Sequence, residues 1–276
     1  MAVRPIVVKI GGSQGVALDA VCKDIAALIQ QGNPLLSNIV IVHGGSAETN
    51  EISEKLGHPA RFVTNISGFT SRYTDRTTLE IFAMVTNGRI NTLIVERLQK
   101  IGVNAFGLSG VDGHVMLAKR KDAIRIVENG KQRMLRDDYT GKIETVNGDL
   151  IKSLMGFGLT PVISPLAIPP EGDALNVDAD RAAAMVAGAV GAEQLIILTN
   201  VPGLMRNFPD ESTLIQHISK SGLEEALTFA EGRMKKKVLG ASEALGLGVA
   251  KVVFADGRTE HPLQDALNGK GTVISL

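Results

Sequence analysis

The sequence is poor in the residue types that usually announce a function. It holds one cysteine, Cys22, among 276 residues. That excludes an internal disulfide and any multi-cysteine metal site, and it fits a reducing cytoplasm. Tryptophan is absent and aromatics make up 4% of the chain, so binding between stacked aromatic walls is not expected. Neither sign of charge prevails, with 29 Lys+Arg against 29 Asp+Glu, whereas a general nucleic-acid binder carries a basic excess. No uninterrupted apolar run approaches the ~18 residues of a membrane span, and no signal-peptide layout opens the chain. The signatures G-x-x-x-x-G-K-[ST], strand-linked G-x-G-x-x-G, H-E-x-x-H and G-x-S-x-G are missing. The five histidines are scattered, and no metal site is expected. Glycine, by contrast, is plentiful at 30 residues, which points to binding by backbone loops.

Strand-like apolar runs at 5–10, 39–43, 104–108, 160–164, 194–199 and 250–255 alternate with helical patterns, among them 16–31, 47–56 and about 76–100. The first helix places Leu18, Val21, Cys22, Ile25 and Ile29 at helical spacing, which makes Cys22 a core residue. Such alternation predicts an α/β fold, a three-layer αβα sandwich with a mainly parallel central sheet. Ligands of these folds gather at the carboxyl ends of the strands. Two strand-like runs in 114–135 flank Asn129-Gly130, a hairpin turn signal. Pro165, Pro169, Pro170 and Gly172 suggest a second hairpin at 165–175 and a boundary between lobes 1–172 and 173–276.

Five loops carry the polar chemistry. Lys9-Ile10-Gly11-Gly12-Ser13 and His43-Gly44-Gly45-Ser46 each end a strand and open a helix. Their glycines let backbone N–H groups approach an anion, and the helix that follows adds its dipole. Either loop alone is often just a tight turn; two in one sheet suggest two anionic groups held close together. His43 reads as locally hydrogen-bonded. Asn176-Val177-Asp178-Ala179-Asp180 precedes an alanine-rich helix, where a helix cap explains one polar residue of the three. Thr199-Asn200-Val201-Pro202-Gly203 follows the strand at 194–199. Gly232-Arg233-Met234-Lys235-Lys236-Lys237 opens another helix, where cations oppose the dipole unless one of them meets an anion.

In this order, K-I-G-G-S, V-H-G-G, N-x-[ND]-x-D, L-T-N-V-x-G and G-x-M-x-x-K resemble the amino acid kinase family over essentially the whole chain. Asp256 to Arg258 and Gly269 to Thr272 are similar to the ending of its acetylglutamate kinases. Ser71-Arg72-Tyr73-Thr74-Asp75-Arg76, the Thr78 to Phe82 stretch, Asp178, and Asp138-Tyr139-Thr140-Gly141 instead resemble the branch that phosphorylates carrier-linked aminoadipate in lysine biosynthesis. The resemblance implies transfer of the γ-phosphoryl group of ATP, carried as its Mg²⁺ chelate, to a side-chain carboxylate. Lys9 and Lys237 would flank the phosphoryl group, with Asp180 holding both. Gly11, Gly12, Gly44 and Gly45 would donate N–H groups to phosphoryl oxygens and substrate. Arg72 would grip the α-carboxylate and Asn176 the α-nitrogen side. Ser13, Thr199, Asn200, Gly203 and Met234 would line the ATP site. The N-terminal lobe would bind substrate and dimerise, and the C-terminal lobe would bind ATP.

Lys119, Arg120, Lys121, Arg125, Lys131, Arg133 and Arg136 face only Asp122 and Glu128 in their stretch of an otherwise neutral chain. The bland reading is a solvated hairpin; the functional one is a dock for the small acidic amino-group carrier protein. An acetylglutamate kinase of arginine biosynthesis, or an enzyme serving both chains, stays open, because one methylene is worth only about 1–3 kcal/mol in a pocket. A non-catalytic sensor fits poorly with Lys9, Asp180 and Lys237 together. The chain opens almost at its first strand, without the extra helix of arginine-inhibited hexameric relatives, so a cytoplasmic homodimer without arginine feedback is expected.

Overall fold

The first apolar run of the chain becomes the middle of its sheet. The computed structural model describes residues 4–32, 38–66, 68, 70–120, 123–128 and 131–275. β1 (Ile6–Ile10) leads through the first glycine loop to α1 (Leu18–Gln30), and β2 (Ile39–His43) leads through the second to α2 (Ser46–Lys55). Short strands β3 (Phe62–Asn65) and β4 (Thr70–Arg72) follow. The long helical stretch comprises α3 (Arg76–Ala83), a π-helix over Met84–Asn91, and α4 (Thr92–Lys100). Next come β5 (Ala105–Ser109), β6 (Met116–Arg120), β7 (Ile124–Glu128), β8 (Lys131–Leu135) and β9 (Gly141–Val146). Then α5 (Gly148–Gly156) and β10 (Thr160–Ser164) precede the short pair β11 (Leu166–Ala167) and β12 (Leu175–Asn176). The chain continues through α6 (Ala179–Val190), β13 (Gln194–Thr199), β14 (His217–Ser219) and α7 (Leu223–Phe229). It closes with α8 (Gly232–Gly246), β15 (Lys251–Asp256), α9 (Pro262–Leu267) and β16 (Thr272–Ser275).

The main sheet runs β14-β16-β15-β13-β1-β2-β10-β5. From β15 to β5 all pairings are parallel, and only β16 and β14, parallel to each other, run against them. Strands covered on both faces read as near-continuous apolar runs, and β1 and β2 are buried throughout, Lys9 and His43 included. Alternate residues feed two cores. Val7, Val40, Leu195 and Ile197 pack with α5, α6 and α8, while Ile6, Val8, Ile41 and Ile196 pack with α1, α4 and α9. This is the expected αβα sandwich. Cys22 lies in the second core, 1% exposed, where burial pushes its thiol up to about 11.

The hairpin at 165–175 is present, with Leu166 opposite Asn176 and Ala167 opposite Leu175. The main sheet does not break there, since β13 pairs with β1 along its length. The 114–135 stretch differs from expectation. Its described residues hold three strands, and the first, β6, pairs with β9 through a bulge at Leu117/Ala118. β7 and β8 form the hairpin, with Glu128 opposite Lys131. They extend β3 and β4 into a second sheet ordered β4-β3-β7-β8. Lys121 and the turn residues Asn129 and Gly130 lie outside the described residues.

Candidate active site

β1, α6 and α8 converge on one carboxylate. Asp178 is the helix cap of α6, its Oδ1 accepting the N–H groups of Asp180 at 3.0 Å and Arg181 at 3.1 Å. Capping thus takes Asp178 and leaves the Asp180 side chain to other partners. Lys9 at the end of β1 lies 2.8 Å from Asp180 Oδ1, and Lys237 in the second turn of α8 lies 3.0 Å from both oxygens. All three residues are buried. Burial alone would raise the Asp180 carboxyl; Lys237 and Lys9 outweigh it and hold the group well below the usual carboxylate range. Burial in turn brings Lys237 down to about 8, against the pull of Asp180 and with the push of Lys9.

The two glycine loops meet beside this trio. A Cβ on Gly12 would collide with Gly45 N and lie 2.8 Å from Gly44 C. Gly44 N donates to Ile10 O at 3.0 Å and Ala47 N to Gly12 O at 2.9 Å. Only residues without side chains allow this backbone contact, so Gly12 and Gly44 are set by geometry, and the Gly44 N–H expected to meet substrate is taken by Ile10 O instead. Gly11 rests against Leu198 O and Thr199 Cα, which brings β13 into the same corner. Asn200 lies beside Gly15.

Arg72, on β4, reaches over the second loop. Its Nη2 donates to Ser46 O at 3.0 Å, and its guanidinium lies 5.4 Å from the Phe62 ring centroid. A surface ion pair is excluded, since Arg72 is 7% exposed. Its sequence neighbours are engaged elsewhere: Asp75 caps α3 through Thr78 N at 2.7 Å, and Glu80 pairs with Arg76 at 2.8 Å. Its Nη1 is buried without a partner. Burial and the nearby Arg233 bring Arg72 down to about 10. Asn176 is held at the same end, its Nδ2 donating to Thr74 Oγ1 at 3.0 Å.

The remaining nucleotide-site candidates are spread around this centre. Thr199 ends β13 and is buried. Met234 is half-buried against the α6–α8 core. Gly203 has a packing reason of its own, since a Cβ there would lie 2.5 Å from Thr272 Oγ1. Ser13 accepts from Arg233 Nη1 at 2.8 Å. Arg233 is a residue that motif reading passed over; its signal was the same misplaced cation at a helix N-terminus that marked Lys237. Lys236 is tied to Thr70 O at 2.9 Å.

The basic stretch does not form one surface. Lys119 and Arg120 belong to the β6–β9 ribbon. Arg120 is occupied, stacked 3.9 Å above Tyr139 with its Nε on Asp138 O at 3.0 Å. Lys119, Arg125, Lys131, Arg133 and Arg136 are exposed. Arg125 is opposite Met134 and Arg133 opposite Ile126, which puts these arginines on opposite faces of the hairpin.

Around one backbone junction, Lys9, Lys237, Arg72 and Arg233 outnumber the carboxylates of Asp178 and Asp180. Such an excess suits an anionic ligand, and glycine-loop N–H groups suit its oxygens. Among the described residues no three His, Cys, Asp or Glu side chains gather as a metal site, and no helix is long and apolar enough to cross a membrane.

The profile of the Amino acid kinase family matches residues 4–256. A protein of Deinococcus radiodurans named [LysW]-aminoadipate kinase is 55% identical over 99% of this chain and 92% of its own. A protein of Nitrosopumilus maritimus, whose name pairs [LysW]-aminoadipate with [LysW]-glutamate kinase, is 43% identical over 95% of this chain and 96% of its own. Among solved structures, N-acetylglutamate synthase from Neisseria gonorrhoeae, complexed with coenzyme A and N-acetyl-glutamate, superposes with a TM-score of 0.79 at 25% identity. That match takes in 100% of this chain and 60% of the synthase chain. With a family match over nearly its full length and relatives this similar, the chain belongs to the amino acid kinase family.

Proposed function

We propose that the chain transfers the γ-phosphoryl group of ATP to the side-chain carboxylate of 2-aminoadipate whose amino group is joined to the small acidic carrier LysW. The product is an acyl phosphate for lysine biosynthesis. The observation that carries the chemistry is the pair of buried lysines sharing Asp180 beside two abutting glycine loops. The substrate rests on the name of the Deinococcus relative.

The nucleophile is already an anion, so no general base is required. A carboxylate oxygen attacks the γ-phosphorus in line, the bond to the β–γ bridging oxygen breaks, and ADP leaves with that electron pair. The obstacles are charge repulsion and alignment, which positioned cations and N–H dipoles lower. Lys9 and Lys237 meet the charge of the transferring group, and Asp180 fixes their geometry. Gly11, Gly12 and Gly45 present backbone N–H groups. The unpartnered Nη1 of Arg72 takes the α-carboxylate, for which a planar fork is well shaped, and Asn176 faces the α-nitrogen. Ser13, Thr199, Asn200, Gly203 and Met234 border the nucleotide, and Arg233 adds charge at its phosphates. Asp180 is engaged by both lysines, so Mg²⁺ fits here as the ATP chelate, held by phosphate oxygens and water.

Lobe 1–172 serves the substrate and lobe 173–276 ATP, in a cytoplasmic homodimer. β5 ends the main sheet among the described residues and exposes Phe106, an edge that a second copy would cover. The Nitrosopumilus relative's name favours a second reading, a kinase serving carrier-linked glutamate as well.

ADP release with ATP and Mg²⁺ tests these readings on N-acetylglutamate, carrier-linked aminoadipate and carrier-linked glutamate. Turnover of carrier-linked aminoadipate alone supports the first, and comparable turnover of both carrier-linked substrates supports the second. Turnover of free N-acetylglutamate alone overturns both.

A further inference from the structure

The π-helix between α3 and α4 has a use that the machinery above leaves unexplained. It carries Asn87 and Asn91 to the carboxyl ends of β10 and β2. Ser164 Oγ donates to Asn87 Oδ1. Asn91 Nδ2 donates to Val162 O at 2.8 Å and lies 3.1 Å from His43 Nε2. Nδ2 has two protons and Val162 O accepts one; the other points at His43 Nε2, which must therefore be unprotonated. The His43 proton then sits on Nδ1, which donates to Gly44 O at 3.0 Å. The neighbouring groups thus select one neutral tautomer, and a protonated ring would set an N–H against the Asn91 amide. Burial, with Lys9 nearby, takes His43 down to about 4 although the Gly44 bond opposes the shift.

Gly44 O and Gly45 N belong to one planar trans peptide, so fixing the carbonyl toward His43 turns the Gly45 N–H the other way. On that side lies the Gly12 backbone, at the junction of the glycine loops. We infer that Asn91 is a positioning residue: through His43 it locks the Gly44–Gly45 peptide so that the Gly45 N–H faces the reacting groups. A glycine pair has no side chain to fix its own peptide plane, so the orientation is set by the neighbouring His43 ring and by what holds that ring. This rests on the reading of Gly45 as a donor to phosphoryl or substrate oxygens.

Two variants test it. Asn91→Leu keeps the volume and removes the bond. Gly107→Ala leaves both partners in place but sets a methyl against Asn91 Oδ1, with which a Cβ at that position collides. The readouts are kcat, both KM values, and the ¹⁵N shifts of the His43 ring, assigned by comparison with His43→Gln. In the wild-type enzyme His43 should be the Nδ1–H tautomer and should not titrate near neutral pH. Asn91→Leu should mix the tautomers and lower kcat about 10²-fold, the scale of an ångström's misplacement, with ATP KM little changed. Gly107→Ala should move both readouts the same way by less. Wild-type tautomer in both variants, or an altered tautomer with wild-type kcat, overturns the inference. A wild-type protein that phosphorylates no carboxylate would defeat the proposed function instead. The ¹⁵N shifts would still decide the link from Asn91 to His43.

Discussion

The carboxylate of Asp178 accepts the backbone N–H of Asp180 at 3.0 Å, so one aspartate caps the helix that presents the other to two lysines. Similar residues two positions apart therefore make different predictions. Asp178→Ala should remove a cap, lowering stability by about 1 kcal/mol while leaving kcat within a small factor. Asp180→Asn should leave two buried ammonium groups without their shared counter-charge. Thermal unfolding and steady-state kinetics should then show both a lower Tm and a kcat reduced by two orders of magnitude or more, roughly the scale of lost electrostatic preorganisation. Equal kinetic effects of the two variants would refute this division of roles.

Lys237 supplies a pH prediction. Burial lowers its ammonium from the ordinary lysine range to about 8. Above that pH the free enzyme loses a positive charge from the site, so kcat/KM for ATP should fall as pH rises through about 8. Bound phosphates favour the charged form, so the alkaline limb of kcat should lie higher. Lys237→Ala should abolish the limb in kcat/KM and lower kcat far more than it changes ATP KM, because the contact is strongest in the transition state. An unchanged alkaline limb in the variant would assign it to another group.

Arg72 pairs a structural cost with a functional need. Its Nη1 is buried without a partner, and such a donor costs about 1–3 kcal/mol. Arg72→Met keeps the packing on Phe62 and removes that cost along with the Ser46 bond. Its Tm should match or exceed the wild type's, while kcat/KM for the carboxylate substrate falls by about 10–10²-fold, the worth of charge-assisted hydrogen bonds. A clear drop in Tm with substrate KM preserved would make Arg72 a structural residue.

How much of this was legible in the sequence depends on how local the determinant is. β1, β2 and β13 are buried on both faces and appear as plain apolar runs. Lys9 lies near the end of β1, and the glycine pairs follow β1 and β2 directly. β3, β4, β14 and β16 are short and have few consecutive apolar residues, so no run marks them. The partners of functional side chains were the least legible. Arg72 has the carboxylates of Asp75 and Glu80 close by in sequence, yet it bonds Ser46, 26 residues away. Arg233 meets Ser13 across 220 residues and Asn91 meets His43 across 48. The π-helix that aims Asn91 leaves no periodic trace, because its residues fit the surrounding helical pattern. In the basic stretch a count of charges could not reveal strand register, and register separates Arg125 from Arg133.

That separation makes the docking proposal divisible. Arg125 shares a face with Val127 and Met134, which continues through Thr64 to Phe62 and Arg72. Arg133 shares the other face with Ile126 and the small core around Val63. An acidic carrier delivering substrate to Arg72 should feel Arg125 more. Arg125→Glu should lower kcat/KM for the carrier-linked substrate at low salt, with the deficit shrinking as salt rises. Arg133→Glu should stay within about twofold, as for an ordinary surface charge. Equal deficits would mean that the carrier wraps the hairpin or touches neither face.

Far from the site, Asp24 closes the second core. It sits on α1, 2% exposed, yet its carboxylate accepts the N–H groups of Leu263 at 2.9 Å and Gln264 at 3.1 Å in the first turn of α9. Gln264 Nε2 adds a third bond at 3.0 Å. A helix start normally finds its cap in its own preceding residue; here His261 stands at that position with no side-chain cap bond, and α1 provides the acceptor. Asp24→Ala would leave the buried Leu263 N–H and the half-buried Gln264 N–H unmet as well as opening a space. The loss should be about 2 kcal/mol or more, a fall in Tm of roughly 4–8 °C for a chain of this size. Below that Tm, kcat and both KM values should stay at wild-type levels, because α9 contributes no group to the site. A kinetic defect at temperatures where the variant is folded would tie this helix pair to catalysis.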